Sequence, residues 1–241
     1  MELPILQDNL RSSGGWTAAL ASEQEQWAKA RAASTAIESK LREIQVEQIL
    51  KTCGGQIDPA RLLEAASKIS AWATEANAAF NAARLLALHR TLIGAAPIGP
   101  DGEEVDVLRK GEPTPINAAH DPTPARLLPQ MIDHAFDWFS TESFGELHPV
   151  EQATVVYLRL LDLYPFPILT EPTAILAAGF YTERAGLPPL VIFAQDPTQA
   201  EFAQTLEAAM RMLTQPLIEL FARMLLRAMR QSAVPSTVAT G

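Results

Sequence analysis

The chain has 241 residues, 48% of them apolar, and a formal net charge of −9. That length supports one domain with a substantial core and a small helical extension beside it. So acidic a chain, with a pI near 5.0, lacks the electrostatic footprint of a nucleic-acid binder, and no nucleic-acid partner is expected. Cys53 is the only cysteine, which rules out an internal disulfide and fits a reducing compartment. Met1 to Gly15 carries no long apolar run and no cleavage pattern. No stretch approaches the roughly 20 apolar residues of a membrane span, so a cytoplasmic protein without a membrane partner is expected.

Residues 17–51 read as two short helices or one bent one, ended by Gly54-Gly55. Glu38 stands four residues before Arg42, the spacing of a helix-surface ion pair. Asp58-Pro59 reads as a cap followed by proline in the first turn, where a missing N–H costs nothing. From Pro59 to Ile93 an Ala-rich pattern predicts two helices meeting near Asn77 or Asn81. Gly94 to Asn117 is the least regular part, and Glu104-Val105-Asp106-Val107 is a candidate hairpin arm within it. Helices follow at about 123–139, 149–163, 171–185, 197–212 and 215–230. Thr123-Pro124, His148-Pro149 and Asp196-Pro197 mark three of the starts, with Thr214 and Pro216 a looser version. Residues 231–241 read as a flexible tail. β-Branched residues never alternate with polar ones for long, so the expected fold is all-α. The expected division is an N-terminal helical segment at 1–57, a helical domain at 58–230 and the tail.

The 149–163 helix is apolar almost all round, which places it at the centre of the fold. The last helix has a polar stripe of Glu219, Arg223, Arg227 and Arg230, with Glu219 spaced to pair with Arg223. Its remaining surface is apolar and suits either a homodimer contact or burial within one chain. His89, His120, His134 and His148 show no metal-ligand spacing, so no metal site is expected. Trp16, Trp27, Trp72 and Trp138 read as core or edge packing.

The segment between the 149–163 and 171–185 helices reads Tyr164-Pro165-Phe166-Pro167-Ile168-Leu169-Thr170-Glu171-Pro172-Thr173-Ala174. It resembles the catalytic loop of the Fic/Doc (Fido) family, His-Pro-Phe-x-x-Gly-Asn-Gly-Arg-x-x-Arg. Pro165 and Phe166 match, as do the trailing Thr173 and Ala174. Leu88-His89-Arg90-Thr91-Leu92 is similar to the family's Leu-His-x-x-Leu before the flap, and residues 95–118 stand where its β-flap aligns a target by strand addition. Ser34 and Glu38 match the Ser/Thr-x-x-x-Glu of an inhibitory helix, while Ser39 departs from its final place. The resemblance implies a helical core with a short irregular or hairpin flap, and an ancestry in transfer of AMP from ATP onto protein hydroxyls.

The loop chemistry departs from that pattern. Tyr164 replaces the basic histidine, and a phenol of pKa ~10 is a poor base at pH 7; an aromatic core role is expected for it. Ile168 replaces the carboxylate that holds Mg²⁺, and an alkyl group cannot bind a hard cation. Leu169, Thr170, Glu171 and Pro172 replace the glycine-rich anion nest. The glycines that permit a tight turn are gone, Pro172 has no N–H to donate, and Glu171 places negative charge where phosphate charge belongs. Both loop arginines are lost to Pro172 and Ile175. Thr170 reads instead as an N-cap of a plain helix start, with Glu171 at its positive end. The reading is a catalytically inactive, adenylyltransferase-like protein that binds or regulates a protein partner without a cofactor. The alternative is an active transferase with altered chemistry, using ATP and Mg²⁺ or another donor. In that case Arg109 and Lys110 supply phosphate contacts and Tyr164 is an acceptor.

Overall fold

Four helices of this chain begin where a polar side chain meets the first unpaired N–H groups. The computed structural model describes residues 15–34, 36–53, 57–94, 108–193 and 198–233. In chain order the helices are α1 (Gly15–Ala33), α2 (Ala36–Thr52), α3 (Pro59–Thr74), α4 (Ala82–Ile93), α5 (Leu128–Phe139), the single turn α6 (Glu142–Gly145), α7 (Pro149–Leu163), α8 (Thr170–Arg184), α9 (Thr198–Met210) and α10 (Gln215–Ala233). A 3₁₀ turn, Ala125–Leu127, precedes α5. Among the described residues there is no strand, as an all-α fold requires.

The predicted start signals hold in part. Asp58 caps α3 by accepting from the Ala60 N–H at 2.9 Å. Asn81 caps α4 by accepting from the Arg84 N–H at 3.0 Å, and Asn77 takes a left-handed φ of 55° in the turn before it. His148 caps α7 through a reciprocal box with Glu151. Thr123-Pro124 does not cap α5: the 3₁₀ turn intervenes and the helix starts without a side-chain cap. α10 continues to Ala233, so the first three residues assigned to a tail are helical. Gly54-Gly55, Asp196-Pro197 and Glu104–Val107 lie outside the described residues.

α7 and α8 form an antiparallel pair at the centre. Val150, Ala153, Val156, Tyr157, Leu160, Leu161 and Leu163 of α7 are buried, as are Ala174, Leu176, Ala177, Ala178 and Phe180 of α8. Each fully buried large side chain of this kind contributes about 1.5–3 kcal/mol. α10 closes one side of the pair, and its apolar surface is filled within the single chain, with Leu217, Ile218, Leu220, Phe221, Met224, Leu225 and Met229 all buried. Arg223 pairs with Glu201 of α9 at 2.5 Å, while Glu219 accepts from Gln215 at 3.0 Å. The expected Glu219–Arg223 pair does not form. An exposed i,i+4 pair contributes only tenths of a kcal/mol, so a carboxylate on a neighbouring helix competes easily.

α1 and α2 are fastened to the carboxyl end of α8. Trp27 is 2% exposed and its indole N–H donates to the Gly186 carbonyl at 3.1 Å. Gln24 donates to the Ala185 carbonyl and Gln45 to the Leu190 carbonyl. Arg42, expected beside Glu38, instead forms an ion pair of 2.7 Å with Glu183 of α8, and both side chains are about nine-tenths buried. Ser70 of α3 bonds both partners. Burial explains the choice, because a desolvated carboxylate attracts a guanidinium far more strongly than an exposed one does. Removing one partner strands the other. Arg42→Met should lower stability by roughly 3–5 kcal/mol in urea unfolding. The double variant Arg42→Met/Glu183→Gln should recover part of that loss, and equal losses in the single and double variants would refute a desolvated pair.

Candidate functional site

The segment joining α7 to α8 is built around carbonyls that need partners. α7 ends at Leu163, and Tyr164 caps it in a left-handed conformation, φ 44° and ψ 59°, with its N–H returning to the Leu160 carbonyl at 2.9 Å. The last carbonyls of a helix have no partner inside it. Residues distant in sequence meet them here. The Thr123 N–H reaches the Asp162 carbonyl at 3.3 Å, and His120 Nε2 donates to it at 3.5 Å. Arg109 Nη2 donates to the Leu163 carbonyl at 3.2 Å and Nε to the Tyr164 carbonyl at 2.6 Å. The Arg109 backbone N–H donates to the Pro165 carbonyl at 2.9 Å. The guanidinium also bonds the Thr123 and Gly111 carbonyls and the Glu112 carboxylate. Its five donors are thereby engaged, and the residue is only 5% exposed. Arg109 is a structural clamp, and its guanidinium is not free for a phosphate. Lys110, beside it, is exposed.

The middle of the loop is closed on itself. Phe166 is fully buried, and His89 of α4 stacks on it with ring centroids 3.7 Å apart and planes 6° apart. His89 Nε2 donates to the Ile168 carbonyl at 3.0 Å. Thr170 does not act as the expected N-cap. It is the first residue of α8, and its hydroxyl accepts from the Phe166 N–H at 3.2 Å and donates to the Phe166 carbonyl at 3.1 Å. Leu169 precedes the helix in a left-handed conformation, φ 59° and ψ 23°. A leucine holds this tight turn at a cost of roughly 1–2 kcal/mol. The Leu169 carbonyl accepts from both the N–H and the hydroxyl of Thr173. Pro167 and Ile168 form the exposed tip, and Ile168 is 55% exposed.

Glu171 lies half-buried in the first turn of α8, and burial raises its carboxyl above the usual range. Pro172 is buried behind it. Tyr164 is half-buried beside His120, with ring centroids 6.3 Å apart, so it is not the core residue expected. Burial, then the Glu171 charge, pushes its phenol upward, the direction opposite to activation as a base. At the other candidate position, Ser34 accepts from the Ala36 N–H at 3.3 Å. Glu38 pairs with Arg31 at 2.8 Å, both side chains being nearly half exposed. Thr35 lies outside the described residues, as do 95–107 of the candidate flap. Leu108 to Ala118 contains no strand. Among the described residues no group of three His, Cys, Asp or Glu side chains could hold a metal ion, and no helix is long and apolar enough to cross a membrane.

Sequence reasoning missed the roles of Arg109, His89 and His120 in holding this loop. Their partners lie 42 to 79 residues away in the chain, and no local spacing reports such a contact. The one available signal was the position of His89 in a motif already noted for its likeness.

No protein-family profile matches the chain. It is 28% identical over 126 residues to protein adenylyltransferase fic-1 of Caenorhabditis briggsae, covering 52% of this chain and 23% of that protein. It is 31% identical over 117 residues to protein adenylyltransferase Fic of Drosophila grimshawi, covering 48% and 23%. The chain thus spans under a quarter of the length of these curated relatives. Its fold is similar to a solved Fic domain-containing signalling protein from Bacteroides thetaiotaomicron, with TM-score 0.69 and 16% identity over 89% of this chain and 96% of that one. It is also similar to Fic-1 from C. elegans, with TM-score 0.66 and 17% identity over 90% of this chain and 73% of that one.

Two measurements probe the loop. Arg109→Met leaves the α7 carbonyls unpaired in a buried setting, so stability should fall by roughly 3 kcal/mol or more. Amide exchange should rise at Tyr164 and Phe166, and unchanged exchange there would remove Arg109 from its role. His89 is held down to about 4 by burial, against the ordinary value near 6.5. Above the higher value both folded and unfolded imidazoles are neutral. Between the two values only the unfolded chain binds the proton, so stability falls as pH drops through that window, by roughly 3 kcal/mol in all. Urea unfolding at pH 7 and pH 4.5 should show this loss in the wild type and a clearly smaller one in His89→Gln. Identical losses would refute the assignment.

Proposed function

Taking as premise that the chain is a member of the Fic (Fido) family, we propose that it acts by binding or regulation and does not transfer AMP. The observation carrying this reading is the Phe166–Thr170 closure with Glu171 behind it. A phosphate nest needs free, inward-facing N–H groups and no competing anion. Here the Phe166 N–H is taken by Thr170, Pro172 has none, and Glu171 supplies the helix start with a carboxylate from the chain itself. Tyr164 in place of a basic histidine removes a contribution of about 10²–10⁴ in rate. The Ile168 side chain offers no oxygen to Mg²⁺, and its carbonyl is taken by His89. The guest of such a protein is another protein, engaged through the flap region or as a regulator of an active relative.

One observation favours the alternative of an altered transferase. Tyr164 holds a left-handed conformation, and backbone strain concentrates at functional sites. The same conformation is accounted for by its place as the α7 cap, and the upward shift of the phenol disfavours it as a base. The two readings separate in one experiment. Calorimetric titration of the full chain with Mg-ATP should give no measurable heat of binding up to millimolar nucleotide. Incubation with labelled nucleotides, followed by mass spectrometry of the chain and of candidate targets, should give no adduct. Micromolar ATP affinity, or an adduct abolished by Tyr164→Phe, would reverse the reading.

A further inference from the structure

α7 opens on an imidazole used as a cap. His148 Nδ1 accepts from the Val150 N–H at 3.2 Å, and the His148 N–H donates to Glu151 at 2.8 Å. A ring that accepts at Nδ1 is neutral and carries its hydrogen on Nε2. Trp16, in the first turn of α1, meets this ring edge to face, with centroids 4.8 Å apart and planes 87° apart. Both residues are half-buried. Further along, Gln24 and Trp27 tie α1 to the Ala185 and Gly186 carbonyls. The first turn of α1 thus rests on a titratable cap. Trp16 also lines a cavity of about 500 Å³ with Glu201 of α9 and Glu219 and Arg223 of α10. The ionic groups of that cavity are engaged within the chain, Arg223 with Glu201 and Glu219 with Gln215.

We propose that His148 is a pH-sensitive latch: a proton from solvent, taken up at Nδ1 on mild acidification, breaks the α7 cap and releases the first turn of α1. The proton goes to the one atom that accepts the Val150 N–H, so two donors then face each other and the cap bond is lost. The cation also sits at the positive end of the α7 dipole, which disfavours it there. The Glu151 carboxylate of α7 favours a cation, and the exposed Glu142 and Glu146 just before it add to this weakly. α1 brings no ionisable side chain before Glu23, and from α9 and α10 Glu201, Glu219 and Arg223 lie around Trp16. Burial outweighs these charges and holds the imidazole below its ordinary value of 6.5. Between the lowered value and the ordinary one only a released imidazole binds the proton, so acid favours the released state. Release uncovers the Trp16 indole and opens the cavity it lines, while Gln24 and Trp27 keep the rest of α1 in place.

The test is amide exchange on the full chain, read by NMR as protection factors between about pH 7.5 and pH 5. Protection at Val150 should fall roughly fivefold to tenfold, the size expected for one lost cap. Ala19 and Leu20 of α1 should lose protection with the same midpoint, while Trp27 keeps its own. That midpoint should match the titration of the His148 ring protons and lie below about 6.5. His148→Asn keeps an oxygen to cap α7 and does not titrate, so its protection at Val150, Ala19 and Leu20 should not change with pH. Flat protection in the wild type, equal pH dependence in His148→Asn, or loss at Val150 with none at Ala19 and Leu20 would each overturn the proposal. A His148 midpoint at or above the ordinary value would do the same. None of these results bears on the Mg-ATP titration, so the latch and the functional reading fail separately.

Discussion

Carbonyl groups left over at the end of a buried helix must be met, and α7 ends in the middle of this protein. Its last carbonyls and the two that follow are satisfied by Arg109, His120 and the Thr123 N–H. The guanidinium of Arg109 therefore holds four parts of the chain in one arrangement: the end of α7, the loop, the Gly111-Glu112 segment, and the approach to α5. Buried ionic groups of this kind contribute little net stability over an apolar substitute, yet cost several kcal/mol when broken. Their effect is to select one geometry.

That geometry accounts for the mixed character of the loop. Its turn is tight: Leu169 is left-handed, a conformation a glycine would take without strain, and Phe166 is buried against His89. Its polar groups bond within the chain. Thr170 bonds back to Phe166, His89 holds Ile168, and Glu171 brings its own negative charge to the α8 start. A scaffold can keep a turn through packing while side-chain substitution alters what the turn can hold. Packing involves dozens of contacts and tolerates replacement, whereas anion recognition depends on a few N–H groups and on local charge.

The ion pairs teach a related lesson. Glu38–Arg42 and Glu219–Arg223 both satisfy the i,i+4 rule, and neither forms. Arg42 is drawn to Glu183 inside the protein, and Arg223 to Glu201 on the next helix. Local spacing offers only tenths of a kcal/mol, so any carboxylate delivered by tertiary packing outbids it. His148, by contrast, caps α7 as read, and Glu151 completes the box from the same first turn, so neither needs anything from elsewhere.

Read alone, the chain determined its helical class, the central place of α7, the caps at Asp58 and His148, a helix junction near Asn81, and the departure of Tyr164, Ile168 and Pro172 from the residues of the Fic loop motif. These follow from periodicity, turn residues and the intrinsic properties of side chains, all of which act over a few residues. Tertiary structure alone decided that Arg109 is a clamp, that His89 and Thr170 close the loop, and that Tyr164 is a half-exposed cap. Each of those outcomes depends on groups brought together from separate helices. Buried carbonyls and charges take the partner that packing places within reach, and the linear order of residues does not encode that distance.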